Sequence, residues 1–242
     1  MSDTGYRAAG APPGLRLYAV GDIHGRFDLL RQTCDRIDAD LRAQPPRAAL
    51  EVYLGDYIDR GPSSAHVLDF LGRRQRMRGN LVCLMGNHEF YLLQSLRDPQ
   101  AIRAWLQVGG GDTLLSYGVQ PPLKFDARTL ATTVTELRAR LPQADLDFLA
   151  SLPTTFVAGD YVFVHAGLRP GVPLGEQKPE DLMTIREPFL SCTDLFGRVV
   201  VHGHSPVREV DVRPNRINID TGAFASGTLS CLVIEADRLR LL

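Results

Sequence analysis

What most restricts how this chain can fold is a unit that recurs along its first half. Each copy is a short apolar run, then a turn of Gly with Asp, Asn or His, then a stretch with apolar residues at helical spacing. Leu15 to Val20 reads as a strand that runs into Gly-Asp-Ile-His-Gly, and Phe27 to Arg42 follows with Leu29, Leu30, Ile37 and Leu41 on one helical face. Ala48 to Leu54 repeats the strand and ends in Gly-Asp-Tyr-Ile-Asp-Arg-Gly. A helix from Pro62 to about Arg76 comes next, since proline suits a first turn. Leu81 to Met85 is a third strand, closed by Gly-Asn-His-Glu and leading into a helix near Tyr91 to Leu96. Strands alternating with helices predict an α/β fold.

The remainder is read more coarsely. Residues 98 to 152 are expected to be mostly helical, broken by a turn at Gly109-Gly110-Gly111. Thr155 to Ala158 and Tyr161 to Val164 form a hairpin around Gly159-Asp160. Val199 to Val201, Arg216 to Ile219, Leu229 to Glu235 and Arg238 to Leu242 are further strands. Residues 1–14, with Pro12-Pro13 and small residues, predict a flexible arm; residues 15–242 predict a single domain. A chain of 242 residues, 44% hydrophobic, is long enough to bury one such core.

Charge and cysteine usage narrow the setting. Lys and Arg number 27 against 28 Asp and Glu, so no overall basic field invites nucleic acid or an anionic membrane. No run approaches the ~20 apolar residues of a membrane span, and the first residues lack the apolar core of a signal peptide. The four cysteines are scattered without a Cys-x-x-Cys pair, and buried free thiols are expected. These features predict a soluble, cytoplasmic protein.

The chemistry sits in the turns. Five of the six histidines, His24, His88, His165, His202 and His204, directly follow or close apolar strand-like runs, and Asp22, Asp56, Asp59 and Asn87 occupy equivalent places. Ligands of open α/β sheets bind outside the carboxyl ends of strands, so residues distant in sequence should converge there. Carboxylate, amide and imidazole donors in one place suit first-row divalent ions such as Mn, Fe or Zn. Two such ions about 3.5–4 Å apart can position and deprotonate a water and clamp the oxygens of an in-line displacement at phosphorus. Arg60 and Arg186 could neutralise phosphoryl oxygens through bidentate hydrogen bonds.

Taken together, Gly-Asp-Ile-His-Gly (21–25), Gly-Asp-Tyr-Ile-Asp-Arg-Gly (55–61), Gly-Asn-His-Glu (86–89), His-Ala-Gly (165–167) and Gly-His (203–204) resemble the metallophosphoesterase (calcineurin-like) superfamily. The Asp59-Arg60 pair is closest to its phosphoprotein phosphatase branch, including small bacterial and phage serine/threonine phosphatases. The resemblance implies two mixed β-sheets packed as a sandwich and flanked by helices, a four-layer αββα arrangement. It implies that Asp22 and His24 bind one metal, that Asp56 bridges, and that Asn87, His165 and His204 bind the second. The two ions would be Mn2+ first, with Fe or Zn as alternatives. His88 would protonate the leaving oxygen, Asp59 would orient it, Arg60 and Arg186 would hold the phosphate, and a metal-bridging hydroxide would attack in line. The substrate so implied is a phosphomonoester, a phosphoserine or phosphothreonine in a protein or another small phosphorylated molecule. The alternative is a diadenosine polyphosphate or other nucleotide. Bacterial diadenosine tetraphosphate hydrolases typically lack the acidic residue present here as Asp59, and the eukaryotic Ser-Ala-Pro-Asn-Tyr segment has no match in this chain.

Other residues carry plainer expectations. His202, two residues before His204, is read as packing beside the site, and His66 as a helix-surface or packing side chain. Glu89 would hold its turn by hydrogen bonding, while Asp28 and Asp69 are solvated helix charges. The glycines at 109–111 lack a following Gly-Lys-Ser/Thr, so no nucleotide P-loop is present. The stretch Trp105 to Gly118 resembles one found in small bacterial phosphatases and is expected near the cleft rim, with Trp105 in the core. Asp220-Thr221-Gly222 is read as a turn.

Overall fold

The structure, a computed structural model, describes residues 9–242. Its first sheet is built from β1 (Leu15–Val20), β2 (Ala48–Tyr53), β3 (Leu81–Cys83), β9 (Cys231–Glu235) and β10 (Arg238–Leu241), in the order β10-β9-β1-β2-β3. The second holds β4 (Thr155–Ala158), β5 (Tyr161–Val164), β6 (Val199–His202), β7 (Asp211–Val212) and β8 (Arg216–Asn218), in the order β4-β5-β6-β8-β7. Both sheets are mixed. β1, β2 and β3 run parallel while β9 and β10 pair antiparallel, and β5, β6 and β8 run parallel between antiparallel edge strands.

The helices are α1 (Phe27–Ala43), α2 (Ser64–Arg78), α3 (Asn87–Arg97), α4 (Ile102–Gln107), α5 (Gly110–Ser116), α6 (Ala127–Arg140), α7 (Gln143–Ala150), α8 (Pro179–Thr184) and α9 (Ala223–Ser226). Strand alternation sorts the side chains into layers. Leu17 and Ala19 of β1 meet Phe163, Val201 and Ile217 between the sheets, whereas Tyr18 and Val20 face Leu30, Ile37 and Val67 of the helices. On the far side Val162, Val164 and Val200 pack against Leu182, Ile185 and Phe189. The result is the four-layer αββα sandwich expected.

Several boundaries differ from expectation for identifiable reasons. Helix α3 starts at Asn87 rather than near Tyr91, because the Glu89 carboxylate reaches back to the Gly86 N–H at 3.1 Å and secures the first turn. Helix α2 begins after Pro62 and is closed by Gly79 at φ 66°. Only Gly109 breaks the chain at the glycine run; Gly110 and Gly111 open α5. Strand β7, two residues long, was too short to leave a pattern. Of the expected arm, residues 1–8 lie outside the described residues. Beyond them the Gly10 N–H donates to Asp160 Oδ2 at 2.9 Å and the Ala11 N–H to Ala236 O at 2.8 Å, tying this stretch to two hairpin turns.

Strand β2, whose end carries two site carboxylates, is fastened to the helices by a buried ion cluster. Arg74 donates to both Glu51 oxygens at 2.8 Å, Tyr53 donates to Oε2 at 2.7 Å, and Arg74 and Arg78 both reach Asp38. Removing one member of a buried pair strands the others, so Glu51→Ala should lower unfolding free energy by roughly 3–5 kcal/mol in urea denaturation.

Candidate metal centre

The parallel strands deliver their carboxyl ends to one seam between the sheets. Asp22 and His24 follow β1, Asp56 and Asp59 follow β2, Asn87 and His88 open α3 after β3, His165 follows β5, and His204 follows β6. Sharp turns make this possible. Five of the six described non-glycine residues at positive φ are His24 (46°), Asp56 (52°), Asp59 (72°), Arg60 (64°) and His204 (64°). Such backbone costs of order 1–3 kcal/mol per residue and persists where surrounding contacts enforce it. One enforcing contact is Glu89, whose buried carboxylate accepts the N–H groups of Asp56 (2.8 Å), Tyr57 (2.7 Å) and Gly86 (3.1 Å), clamping the second and third turns together. Gly55 and Gly86 are needed at that junction, because a Cβ on Gly86 would lie 2.4 Å from the Asp56 nitrogen.

Asp56 is the hub. Its Oδ1 lies 3.3 Å from His165 Nε2, while its Oδ2 lies 3.6 Å from both His24 Nε2 and His88 Nε2. One carboxylate thus presents an oxygen to each half of the site. Two groups of donor atoms gather within 4.8 Å: His24, Asp56 and His88, and Asp56, His165 and His204. Asn87 Oδ1 stands 3.1 Å from His165 Nε2, and Asp22 Oδ2 accepts the His204 N–H at 3.0 Å.

Two histidines are aimed by their second nitrogen. His24 Nδ1 donates to Ile58 O and His165 Nδ1 to Leu54 O, each at 2.9 Å, which leaves both Nε2 atoms facing the cluster. Burial holds the His24 imidazole down to about 3. Burial and the neighbouring His165 do the same to His204, also to about 3, so both rings offer lone pairs at neutral pH. At His165 burial works against charge but Asp56 outweighs it, raising the ring to about 10: the carboxylates draw positive charge to this point. Asp22 is pushed well up by burial and by Asp220 beside it.

The donor set fits divalent metal. Asp22 Oδ1 and His204 Nε2 are buried without a hydrogen-bond partner among the described residues. Leaving a carboxylate oxygen and an imidazole nitrogen so placed is expensive, and a cation beside each would remove the cost. Oxygen and nitrogen donors without thiolate are the set that first-row divalent ions take.

The remaining residues take distinct places. His88 Nδ1 is 2.6 Å from Asp59 Oδ2, and burial of the ring is outweighed by Asp56 and Asp59, which raise its basicity. Arg60 fans over the site, its two terminal nitrogens 3.1 Å from His24 Nε2 and 3.2 Å from His88 Nε2. Arg186 lies at the exposed edge, 3.4 Å from the His204 carbonyl. His202 is turned away: its ring meets Phe189 edge-on at 4.9 Å. Although His202 lies two residues before His204, the two rings do not share a direction, because His204 has left the strand at positive φ. His66 stacks on Phe27 at the surface, 5.6 Å between centroids. Sequence reasoning missed the partners of Asp59, namely Trp105, Thr113 and Ser64, and the half-exposed Phe224 ring 5.4 Å from His24. No local pattern signals contacts between such distant positions.

The four-layer sandwich and the carboxylate–imidazole cluster at its seam define a metal-dependent phosphohydrolase. A model of the calcineurin-like phosphoesterases matches residues 15–223, and the chain belongs to that family. Among its relatives, serine/threonine-protein phosphatase 2 of Escherichia coli is 26% identical over 241 residues, covering 97% of this chain and all of that one. The asymmetrical bis(5'-nucleosyl)-tetraphosphatase of Halalkalibacterium halodurans is 25% identical, covering 88% of this chain and 87% of its own. A crystal structure assigned provisionally as a diadenosine tetraphosphatase superposes with a TM-score of 0.68 at 20% identity over 97% of both chains, which shows the shared fold.

Proposed function

We propose that this protein, through a single domain over residues 15–242, is a phosphomonoesterase acting on phosphoserine or phosphothreonine in proteins. The observation that carries this reading is the buried His88–Asp59 pair at 2.6 Å, with His88 Nε2 facing the cluster. A serine or threonine oxygen leaves as a strongly basic alkoxide and needs a proton, which a positioned acid supplies at a gain of ~10²–10⁴-fold. A nucleotide leaving from a polyphosphate departs through a weakly basic phosphate oxygen and gains little from such a donor.

In this reading Asp22, His24 and Asp56 would hold one divalent ion, and Asp56, Asn87, His165 and His204 would hold the other; Mn2+ is the proposed native metal. When bound, the two ions would position and deprotonate the attacking water and withdraw charge from the phosphoryl oxygens. Arg60, braced above His24 and His88, and Arg186 at the rim bind the phosphate oxygens and align the ester. His88, held by Asp59, delivers its Nε2 proton to the departing oxygen. The four unpaired thiols suit the reducing cytoplasm. No described helix is long and apolar enough to cross a membrane.

The second reading is hydrolysis of a diadenosine polyphosphate. Phe224 favours it: the ring lies beside Arg60, 4.9 Å from the guanidinium carbon, where a nucleobase could stack. With Mn2+ added, phosphate released from a phosphothreonine peptide and nucleotides released from diadenosine tetraphosphate, at matched concentrations, separate the two. Turnover of the peptide, abolished by chelator and restored by Mn2+, is the expected result. Preference for the dinucleotide would overturn the phosphoprotein reading.

A further inference from the structure

The stretch from Trp105 to Thr113 lies across the backbone of Asp59 and Arg60. The Trp105 indole N–H donates at 2.8 Å to Asp59 Oδ2, the same oxygen that meets His88 Nδ1. The Thr113 hydroxyl donates to the other oxygen, Oδ1, at 2.6 Å. The Asp59 N–H in turn donates to the hydroxyls of Thr113 and Ser64, both at 3.0 Å. Asp59, Ser64, Trp105 and Thr113 are all fully buried. The same stretch holds Arg60: its N–H donates to Gly109 O and its Nε to Val108 O, each at 3.3 Å. Close packing forces two glycines here. A Cβ on Gly109 would sit 2.8 Å from Arg60 Cγ, and one on Gly110 would sit 2.6 Å from the Trp105 ring.

We infer that Trp105 and Thr113 are positioning residues for the proton donor. They fix the plane of the Asp59 carboxylate, and through it the direction of His88. A carboxylate held by His88 alone can rotate about its Cβ–Cγ bond, and the imidazole can swing with it. Donors arriving at both oxygens from two helices, α4 and α5, remove that freedom. A core tryptophan needs only one acceptor for its N–H, and any nearby carbonyl serves. Here the acceptor is the oxygen that orients His88. This inference rests on the proposed role of His88 as acid.

The test compares wild type, Trp105→Phe, Thr113→Val and His88→Asn as Mn2+-loaded enzymes on a phosphoserine peptide and on p-nitrophenyl phosphate, whose phenolate needs little proton. A hydrogen bond to a charged group is worth enough that each of the two positioning variants should lose roughly tenfold or more in kcat on the peptide. The aryl ester should stay within about twofold, and KM on both substrates should change by no more than that, since binding is untouched. Two metals per chain should remain bound. In an Asp59→Asn background, neither variant should add to the loss. Equal losses on both esters, or none on either, would overturn the inference while His88→Asn stays selective for the peptide. If His88→Asn itself falls equally on both esters, or wild type cleaves only the aryl ester, the acid assignment goes and takes this inference with it.

Discussion

Asp56→Asn should retain the fold and lose the capacity to hold both metals, with phosphatase activity falling by about 10²–10³-fold or more. Among the described residues Asp56 is the one shared by both donor groups: Oδ1 faces His165 and Oδ2 faces His24 and His88. An amide keeps the shape but gives up the charge and one acceptor, replacing it with a donor that points at a cation. Glu89 grips the Asp56 and Tyr57 N–H groups, and the asparagine side-chain oxygen can still accept the His88 N–H that Asp56 Oδ1 takes at 3.2 Å, so the backbone should hold. Metal content measured by elemental analysis should therefore drop from two ions per chain towards none, while the far-ultraviolet dichroism stays that of wild type. Two tightly held ions in the variant would remove Asp56 from its bridging role.

His88→Asn should behave in the opposite way: full metal content, and a peptide kcat lower by ~10²–10⁴-fold. The side chain is adjacent to Asn87 and so shares its strand-to-helix junction, but its Nδ1 is committed to Asp59 and not to a metal donor. Asparagine is shorter and cannot carry a titratable proton to the leaving oxygen. The loss should shrink as the leaving group improves, so plotting rate against leaving-group basicity should give a steeper line than wild type. A slope equal to that of wild type, with metals in place, would show that no proton is delivered by this residue.

The strand–turn–helix units were readable because each keeps its information local. In β1 the residues alternate between the two faces, and the glycines of each turn stand beside the donor residues, so the ends of β1, β2 and β3 could be located before any packing was known. His165 and His204 were readable for the same reason on the second sheet. Convergence itself followed from the rule that parallel strands point their carboxyl ends one way. What escaped the sequence was set by tertiary contact. Trp105 and Thr113 reach Asp59 across 46 and 54 positions, and no periodicity encodes such a meeting. The run Gly109 to Gly111 invited a turn, yet only Gly109, at φ 114°, serves one. Gly110 is small because the indole ring leaves no room, which is a packing constraint that looks identical to a turn in one dimension.

The seam between the sheets has a consequence for the order of events in the life of the chain. Asp22, His24, Asp56 and Asn87 come from the first sheet's loops, whereas His165 and His204 come from the second. A nascent chain that has made only its first ninety or so residues owns half a cage, with no imidazole from the far side to complete it. Ions held as proposed, binding the closed form more tightly than the open one, would act as rivets across the sandwich by mass action. With the ligand set proposed above, a copy whose two sheets have parted would also lose His165 and His204 from its metal donors.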